Sequence, residues 1–209
     1  MKVLNLYACL GGNRLLWDDC KVTAVELDPE LARMYQERFP NDTVIIADSH
    51  QYLLDHFDDF DFIWTSPPCP THTRMSSMIF KNTGKPRYPD MTLYQEIIIL
   101  KTWAKCKFVV ENVVPYYEPL IPGQKRDRHI YWANFLLPND LGDRSKKDLT
   151  KISRKELEEF HKIDLSSYKG KQDKMKIAKN LVDYEAGKTI FDVARGIIED
   201  RNKEQLKLL

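Results

Sequence analysis

The 209-residue chain has no run approaching the ~20 apolar residues of a membrane-crossing helix, which excludes a helical membrane protein. Its first residues, Met1-Lys2-Val3-Leu4-Asn5-Leu6, lack the long apolar stretch and small-residue cleavage site of a secretory leader and read as a strand. Cys9, Cys20, Cys69 and Cys106 are scattered without paired metal-ligand spacing, so a metal-free, reduced, cytoplasmic protein is expected. Internal repeats, low-complexity tracts and a phosphate-binding lysine motif are also missing.

At 24.6 kDa and 43% apolar residues, the chain is one domain, with at most a small appendage, and large enough to bury a core. Net charge is only +1, but it is unevenly spread. Arg144 to Lys179 holds 12 Lys/Arg against 6 Asp/Glu, an excess of +6 that leaves the remainder at −5. Such a segment reads either as a solvated helical surface or as a phosphate-contacting one. Beside a base-modifying site, the second reading is preferred.

Short apolar runs alternate with helical stretches over the first two thirds. Strands are predicted at Val3–Ala8, Lys21–Leu27, Thr43–Ala47, Phe60–Thr65 and Lys107–Glu111, and a further one at Arg126–Phe135. Helices are predicted from Gly12–Trp17, over Pro29–Phe39 with Asp28 as cap, near Gln51–Leu54, and over Leu93–Lys105 and Tyr184–Glu199. This alternation implies an α/β fold with a mostly parallel, doubly wound sheet, whose ligands bind at the carboxyl ends of the strands. Pro70 to Asp90 is polar, broken by Gly84, Pro86 and Pro89, and reads as a mobile lid.

Those strand ends carry the chemistry. Tyr7-Ala8-Cys9-Leu10-Gly11-Gly12-Asn13 is a glycine-bearing turn that lets the backbone approach a ligand. Glu26 ends the second strand, where an acid accepts from ribose hydroxyls, and Asp48 ends the third, within reach of an adenine amino group. Singly, each also reads as a helix cap. Together they describe a nucleoside pocket, without phosphates because no lysine motif accompanies them. Ser66-Pro67-Pro68-Cys69 follows the fourth strand and Glu111-Asn112-Val113 ends the fifth. A thiolate and an acid so delivered are the minimum equipment for covalent attack on a pyrimidine: sulfur adds to carbon 6 while the acid proton-bridges nitrogen 3. A lone cysteine is more often a small buried hydrophobe, but the two prolines would fix where this sulfur points. Arg126 and Arg128, alternating along the expected strand, would share a face and supply the cation a thiolate needs.

In this order, the residues resemble the DNA cytosine-5 methyltransferases. The resemblance covers about residues 3–132 and 184–199. Its most specific parts are Pro68-Cys69, Glu111-Asn112-Val113 and Gln124-x-Arg126-x-Arg128. It implies a Rossmann-like class I fold that binds S-adenosylmethionine and acts on cytosine in DNA. Cys69 matches the nucleophile, Glu111 the acid at nitrogen 3, Asn112 a residue shaping that loop, and Arg128 the arginine at the base carbonyl, with Arg126 beside it. Tyr7, Cys9, Leu10, Gly11, Gly12, Glu26, Leu27, Asp48, Ser49, Ser66 and Pro67 match cofactor-pocket positions, and Gly187-Lys188-Thr189 matches the closing motif at the cofactor's amino-acid end. The implied organisation is a catalytic part over 1–135, a small basic target-recognition segment over 136–183 and a returning helix over 184–209. An RNA cytosine methyltransferase and a catalytically silent nucleic-acid-binding protein are the rival readings.

Three departures from the family pattern stand out. Cys9 occupies a position that is usually glycine, and only about fifty residues between Trp132 and Tyr184 remain for target recognition, which leaves room for a protein partner in target choice. Lys188 replaces the usual asparagine. An ammonium there would attract a carboxylate on the transferred group, so carboxy-S-adenosylmethionine is an alternative donor; an ion pair to Glu185 or Asp192 is the other reading of Lys188.

Overall fold

The computed structural model describes residues 1–142 and 152–198. Strands β1 (Lys2–Leu6), β2 (Lys21–Glu26), β3 (Thr43–Ile46), β4 (Phe62–Thr65), β5 (Lys107–Val113), β6 (Gln124–Arg126) and β7 (His129–Ala133) form one sheet in the order β3-β2-β1-β4-β5-β7-β6. β3 to β5 run parallel, and β7 runs antiparallel to both neighbours. The helices are α1 (Pro29–Arg38), α2 (Ser49–His56), α3 (Met75–Thr83), α4 (Thr92–Trp103), α5 (Arg154–His161), α6 (Lys174–Asn180) and α7 (Tyr184–Ala194).

Period-two alternation divides the strands between two cores. Val3, Phe62 and Trp64 pack with Trp17 and with Ile190 and Phe191 of α7 on one face. Leu4, Leu6 and Ile63 pack with Leu53 of α2 and Ile97 and Leu100 of α4 on the other. Asp28, Asp48, Asp173 and Asp183 each accept from backbone N–H groups at the start of α1, α2, α6 and α7, satisfying donors a helix cannot pair itself.

Several sequence expectations are corrected. Gly12–Trp17 forms turns rather than a helix. The Arg14 guanidinium takes the Trp17 carbonyl at 2.7 Å and the Asp42 carboxylate at 2.9 Å, and the Trp17 indole donates to Gly187 at 3.0 Å, so no helical ladder propagates. The segment Pro70–Asp90 contains α3, stopped by Gly84 in the left-handed region at φ 65°. Arg126–Phe135 is not one strand but the hairpin β6–β7, reversed at Asp127 with φ 48°. The last helix ends at Ala194, and Gly196 at φ 73° turns the chain; residue 199 lies outside the described residues, as does 143–151 of the basic segment.

The described remainder of that segment does not stand apart as a separate lobe. Leu157, Leu165, Tyr168, Ile177, Ala178 and Leu181 pack with Leu10, Leu31 and Met34 in a third core cluster. Polar bonds fasten it: Tyr168 and Gln172 donate to one Asp28 oxygen at 3.0 and 2.9 Å, and Arg38 donates to the His161 carbonyl at 3.1 Å. It therefore roofs the end of α1.

Candidate active site

Strand register builds the site. Leu6 is level with Val25 on β2 and Thr65 on β4, and Thr65 with Val110 on β5. One residue further, Glu26, Tyr7, Ser66 and Glu111 form a row along the carboxyl edge of the sheet. A cavity of about 1010 Å3 follows this row and is bounded by Tyr7, Glu26, Asp48, Cys69, Glu111 and Arg128.

At one end, Ser66-Pro67-Pro68-Cys69 leaves β4 in an irregular path held from both sides. The Trp64 indole donates to Ser66 Oγ at 2.8 Å, and the Asn112 amide donates to the Pro67 carbonyl at 3.0 Å. Beyond it, the Cys69 carbonyl accepts from His72 and Thr73, both at 3.0 Å. β5 continues through Val113, so Asn112 and Val113 lie within the strand rather than beyond its end at Glu111. Glu111 is 7% exposed, and its Oε1 stands 3.5 Å from His129 Nε2. Cys69 and Glu111 thus face one cavity. Burial pushes the Cys69 thiol up, the Glu111 charge pushes it further, and Lys176 pulls it back.

The two arginines separate. Arg128, in the β6–β7 turn, lines the cavity. Arg126 turns away and donates to the carbonyls of Lys125, Leu137 and Pro138. The expectation of a shared face fails because the hairpin turn lies between them. Lys176 of α6, a position no motif covered, also lines the cavity.

At the other end, Tyr7 and Cys9 both adopt left-handed conformations, at φ 55° and 47°. The turn keeps the backbone that suits glycine although position 9 carries a side chain, at a strain of about 1–2 kcal/mol. Glu26 holds it in place: Oε2 accepts from the Cys9 N–H at 2.8 Å and Oε1 from the Asp28 N–H at 2.9 Å. Burial raises the Glu26 carboxyl against those two bonds. Burial beside Glu26 also pushes the Cys9 thiol up to about 12, so this thiol is no nucleophile. Ser49 Oγ accepts from the Tyr7 N–H at 3.0 Å. Gly12 and Leu27 line the cavity. Leu10 is buried beneath the roof, and Gly11 packs on Tyr35 and Phe39.

Asp48 caps α2 through the Gln51 N–H at 2.9 Å and borders a smaller recess of about 260 Å3 beside Tyr7, Pro68, His72 and Leu93. Below it sits Glu96, wholly buried, accepting from the Tyr7 hydroxyl at 2.6 Å and the Thr65 hydroxyl at 2.7 Å, with His50 Nδ1 at 3.2 Å. Sequence reasoning passed over this hub. Its signal was one acid inside the apolar stretch Leu93-Tyr94-Gln95-Glu96-Ile97-Ile98.

The closing motif packs against the turn that follows the first strand, and residues 187–189 do not line the cavity. A Cβ at Gly187 would strike the Asn13 carbonyl, a close approach only glycine permits. Thr189 Oγ1 donates to the Leu141 carbonyl at 3.5 Å. Lys188 pairs with Asp18 at 2.9 Å and Asp192 at 3.0 Å. With its ammonium occupied outside the cavity, Lys188 offers no reason for a carboxylated donor. Val182, Asp183 and Ala186 line the cavity instead.

No helix among the described residues is long and apolar enough to cross a membrane, and no group of three or more metal-ligating side chains occurs among them. No curated protein matches the chain. A DNMT2 mutant from Spodoptera frugiperda is 26% identical with a TM-score of 0.36 over 54% of this chain; the chain covers 35% of that protein, about a third of its length. The Entamoeba histolytica methyltransferase EhMeth is 12% identical, with a TM-score of 0.52 over 95% of this chain and 99% of its own, and shares the fold. The model of the C-5 cytosine-specific DNA methylases matches residues 1–115, more than half of the sequence, and with the Rossmann-like sheet this places the chain in that family.

Proposed function

We propose that the chain transfers a methyl group from S-adenosylmethionine to carbon 5 of cytosine in DNA, through a covalent adduct of Cys69 to carbon 6 of a flipped-out base. The observation that carries this reading is the convergence of Cys69 and Glu111 on one cavity that also runs to Glu26 and Asp48.

The residues at the far end suit the donor. Two left-handed residues, Tyr7 and Cys9, fold the backbone into a cradle. Each Glu26 oxygen accepts one N–H and keeps lone pairs for ribose hydroxyls. Asp48 and the recess beside Tyr7 suit an amino-bearing purine. Once bound, S-adenosylmethionine supplies a methyl group on a cationic sulfonium, an electrophile that needs no metal.

The chain's own groups do the rest. Cytosine carbon 5 is a poor nucleophile until the 5,6 double bond is saturated. The Cys69 thiolate forms a bond to carbon 6, the displaced electron pair moves toward carbon 5, and Glu111 shares a proton with ring nitrogen 3 to hold the charge that develops there. Carbon 5 takes the methyl group and loses its proton to water, and the electrons left behind expel the sulfur. Asn112 ties Pro67 to β5 and so sets the sulfur against the acid. Arg128 stands at the cavity wall to meet the base carbonyl.

Extruding a stacked base costs a few kcal/mol that contacts to DNA must offset. Arg74, Lys81, Lys85 and Arg87 on the segment after Cys69, against one acid, Asp90, supply phosphate contacts close to the nucleophile. Residues 1–135 are the catalytic part in this reading, and 152–183 serve as the cavity roof as well as a basic surface. Target choice falls to the lid, the roof or a protein partner.

Incubation with S-adenosylmethionine and an oligonucleotide bearing 5-fluorocytosine tests the reading. An active thiol leaves a covalent complex, which Cys69→Ala does not form while still binding donor. The same complex formed by Cys69→Ala removes Cys69 from the mechanism, and absence of any adduct on DNA from the unaltered chain removes the proposal.

A further inference from the structure

α6 lies outside the stretch that matches the family, and its faces divide sharply. Ile177 and Ala178 are buried against Leu10, Leu31 and Met34, which fixes the helix on the cavity rim. Lys176, Lys179 and Asn180, spaced i, i+3 and i+4, line the cavity together. Neither ammonium is paired with a carboxylate among the described residues.

The charged and titratable groups that line the cavity with Cys69 include Glu111 and His129 on β5 and β7, Arg128 from the hairpin turn, Lys176 and Lys179 from α6, and Asp183 before α7. Glu111 opposes a thiolate. Arg126, the second expected cation, is committed to three backbone carbonyls. Lys176 shares the cavity with Cys69 on the face of α6 opposite its buried side, and its charge favours the thiolate against burial and Glu111.

We propose that Lys176 is a positioning residue for the nucleophile, an ammonium carried across the cavity by α6 as the counter-charge of the Cys69 thiolate. This deepens the Cys69 attack proposed above and rests on it. The proton balance is closed within the site: the thiol proton passes to the Glu111 carboxylate, giving a thiolate and the carboxylic acid that nitrogen 3 requires. Glu111 then no longer repels the sulfur, and the attraction of Lys176 remains. Because α6 is also part of the roof, a shift of the roof moves the counter-charge and alters the nucleophile with it.

Alkylation of Cys69 by iodoacetamide, followed site by site by mass spectrometry across pH, reads this coupling without donor or DNA. Lys176→Gln and Lys176→Met are expected to slow the reaction about three- to tenfold at neutral pH, half to one unit in the thiol midpoint, and to reach the same plateau in alkali. Lys176→Arg restores the rate. Wild-type midpoints in Gln and Met variants whose melting shows them folded would overturn the role of Lys176. A shifted midpoint in a protein that forms no adduct with 5-fluorocytosine DNA would instead remove the proposed methyl transfer and keep the ion pair.

Discussion

The side-chain amide of Asn112 donates to the carbonyl of Pro67 at 3.0 Å, in the buried space between β5 and the loop that carries Cys69. Its own oxygen accepts the next N–H, that of Val113, at 2.9 Å. One residue thus ties the acid's strand to the nucleophile's loop. Asn112→Asp removes the donor and sets a charge against a carbonyl; Asn112→Ala leaves that carbonyl buried and unsatisfied, at about 1–3 kcal/mol. Both are expected to lower kcat by more than about tenfold, since small misplacements of reacting atoms are costly. Donor affinity should change little. Calorimetric titration with S-adenosylmethionine beside steady-state kinetics checks the split; equal losses in both would refute a role confined to the nucleophile.

Reactivity of the cysteines should follow their surroundings. Burial and Glu26 push Cys9 up to about 12, and burial pushes Cys106 up to about 11. Cys69 is also raised, by burial and then Glu111, but Lys176 works against both. Iodoacetamide at pH 8 is therefore expected to label Cys69 before Cys9 or Cys106. For the same reason the rate of Cys69 alkylation, without donor or DNA, should still climb with pH above neutrality, because the thiolate fraction keeps growing. A rate already flat between pH 7 and about 8.5 would count against a raised thiol.

The parallel strands were legible because short apolar runs and helix caps are local signals. Cys69, Glu111, Glu26 and Asp48 were legible because strand ends point to one edge of such a sheet. What escaped was set by contacts distant in sequence. The break between Arg126 and Arg128 depends on a left-handed Asp127, an uncommon conformation for a residue other than glycine. Gly12–Trp17 reads as a helix start until Arg14 meets Asp42, 28 positions on. The roof looked like a charged surface because its lysines dominate the composition, whereas its few apolar residues, Leu157, Leu165 and Ile177 among them, decide where it packs.

Lys188 carries a clear prediction against its expected role. Its ammonium joins Asp18 and Asp192, and Arg195 pairs with the same two carboxylates at 2.6 Å each. Lys188→Asn should leave the Kd for S-adenosylmethionine within about twofold, because a partly exposed pair of this kind contributes little and touches no ligand. The neighbouring Gly187→Ala should be far more damaging. Its Cβ meets the fixed Asn13 backbone, and overpacking of this kind costs about 1–3 kcal/mol. Melting temperatures and donor titrations of the two variants should therefore rank in opposite order to their distance from the family's asparagine position. A large loss of donor affinity in Lys188→Asn alone would return that side chain to the cofactor site.

Two histidines flank the recess beside Tyr7 and should answer pH in opposite senses. The bond to Glu96 raises His50 above its ordinary 6.5, against a smaller effect of burial. His50 therefore contributes stability that is complete below about pH 6.5 and is lost as pH rises through its folded value. Burial lowers His72, whose Nδ1 meets the Tyr117 hydroxyl at 2.6 Å. Its contribution is present above about pH 6.5 and is lost as pH falls through its lowered value. Thermal melts between pH 5 and 8 on His50→Gln and His72→Gln separate the two. The deficit of His50→Gln relative to the unaltered protein should widen toward acid, and that of His72→Gln should narrow. Parallel curves for both variants would mean that neither ring changes charge in step with folding, and that Glu96 is held by its two hydroxyl donors alone.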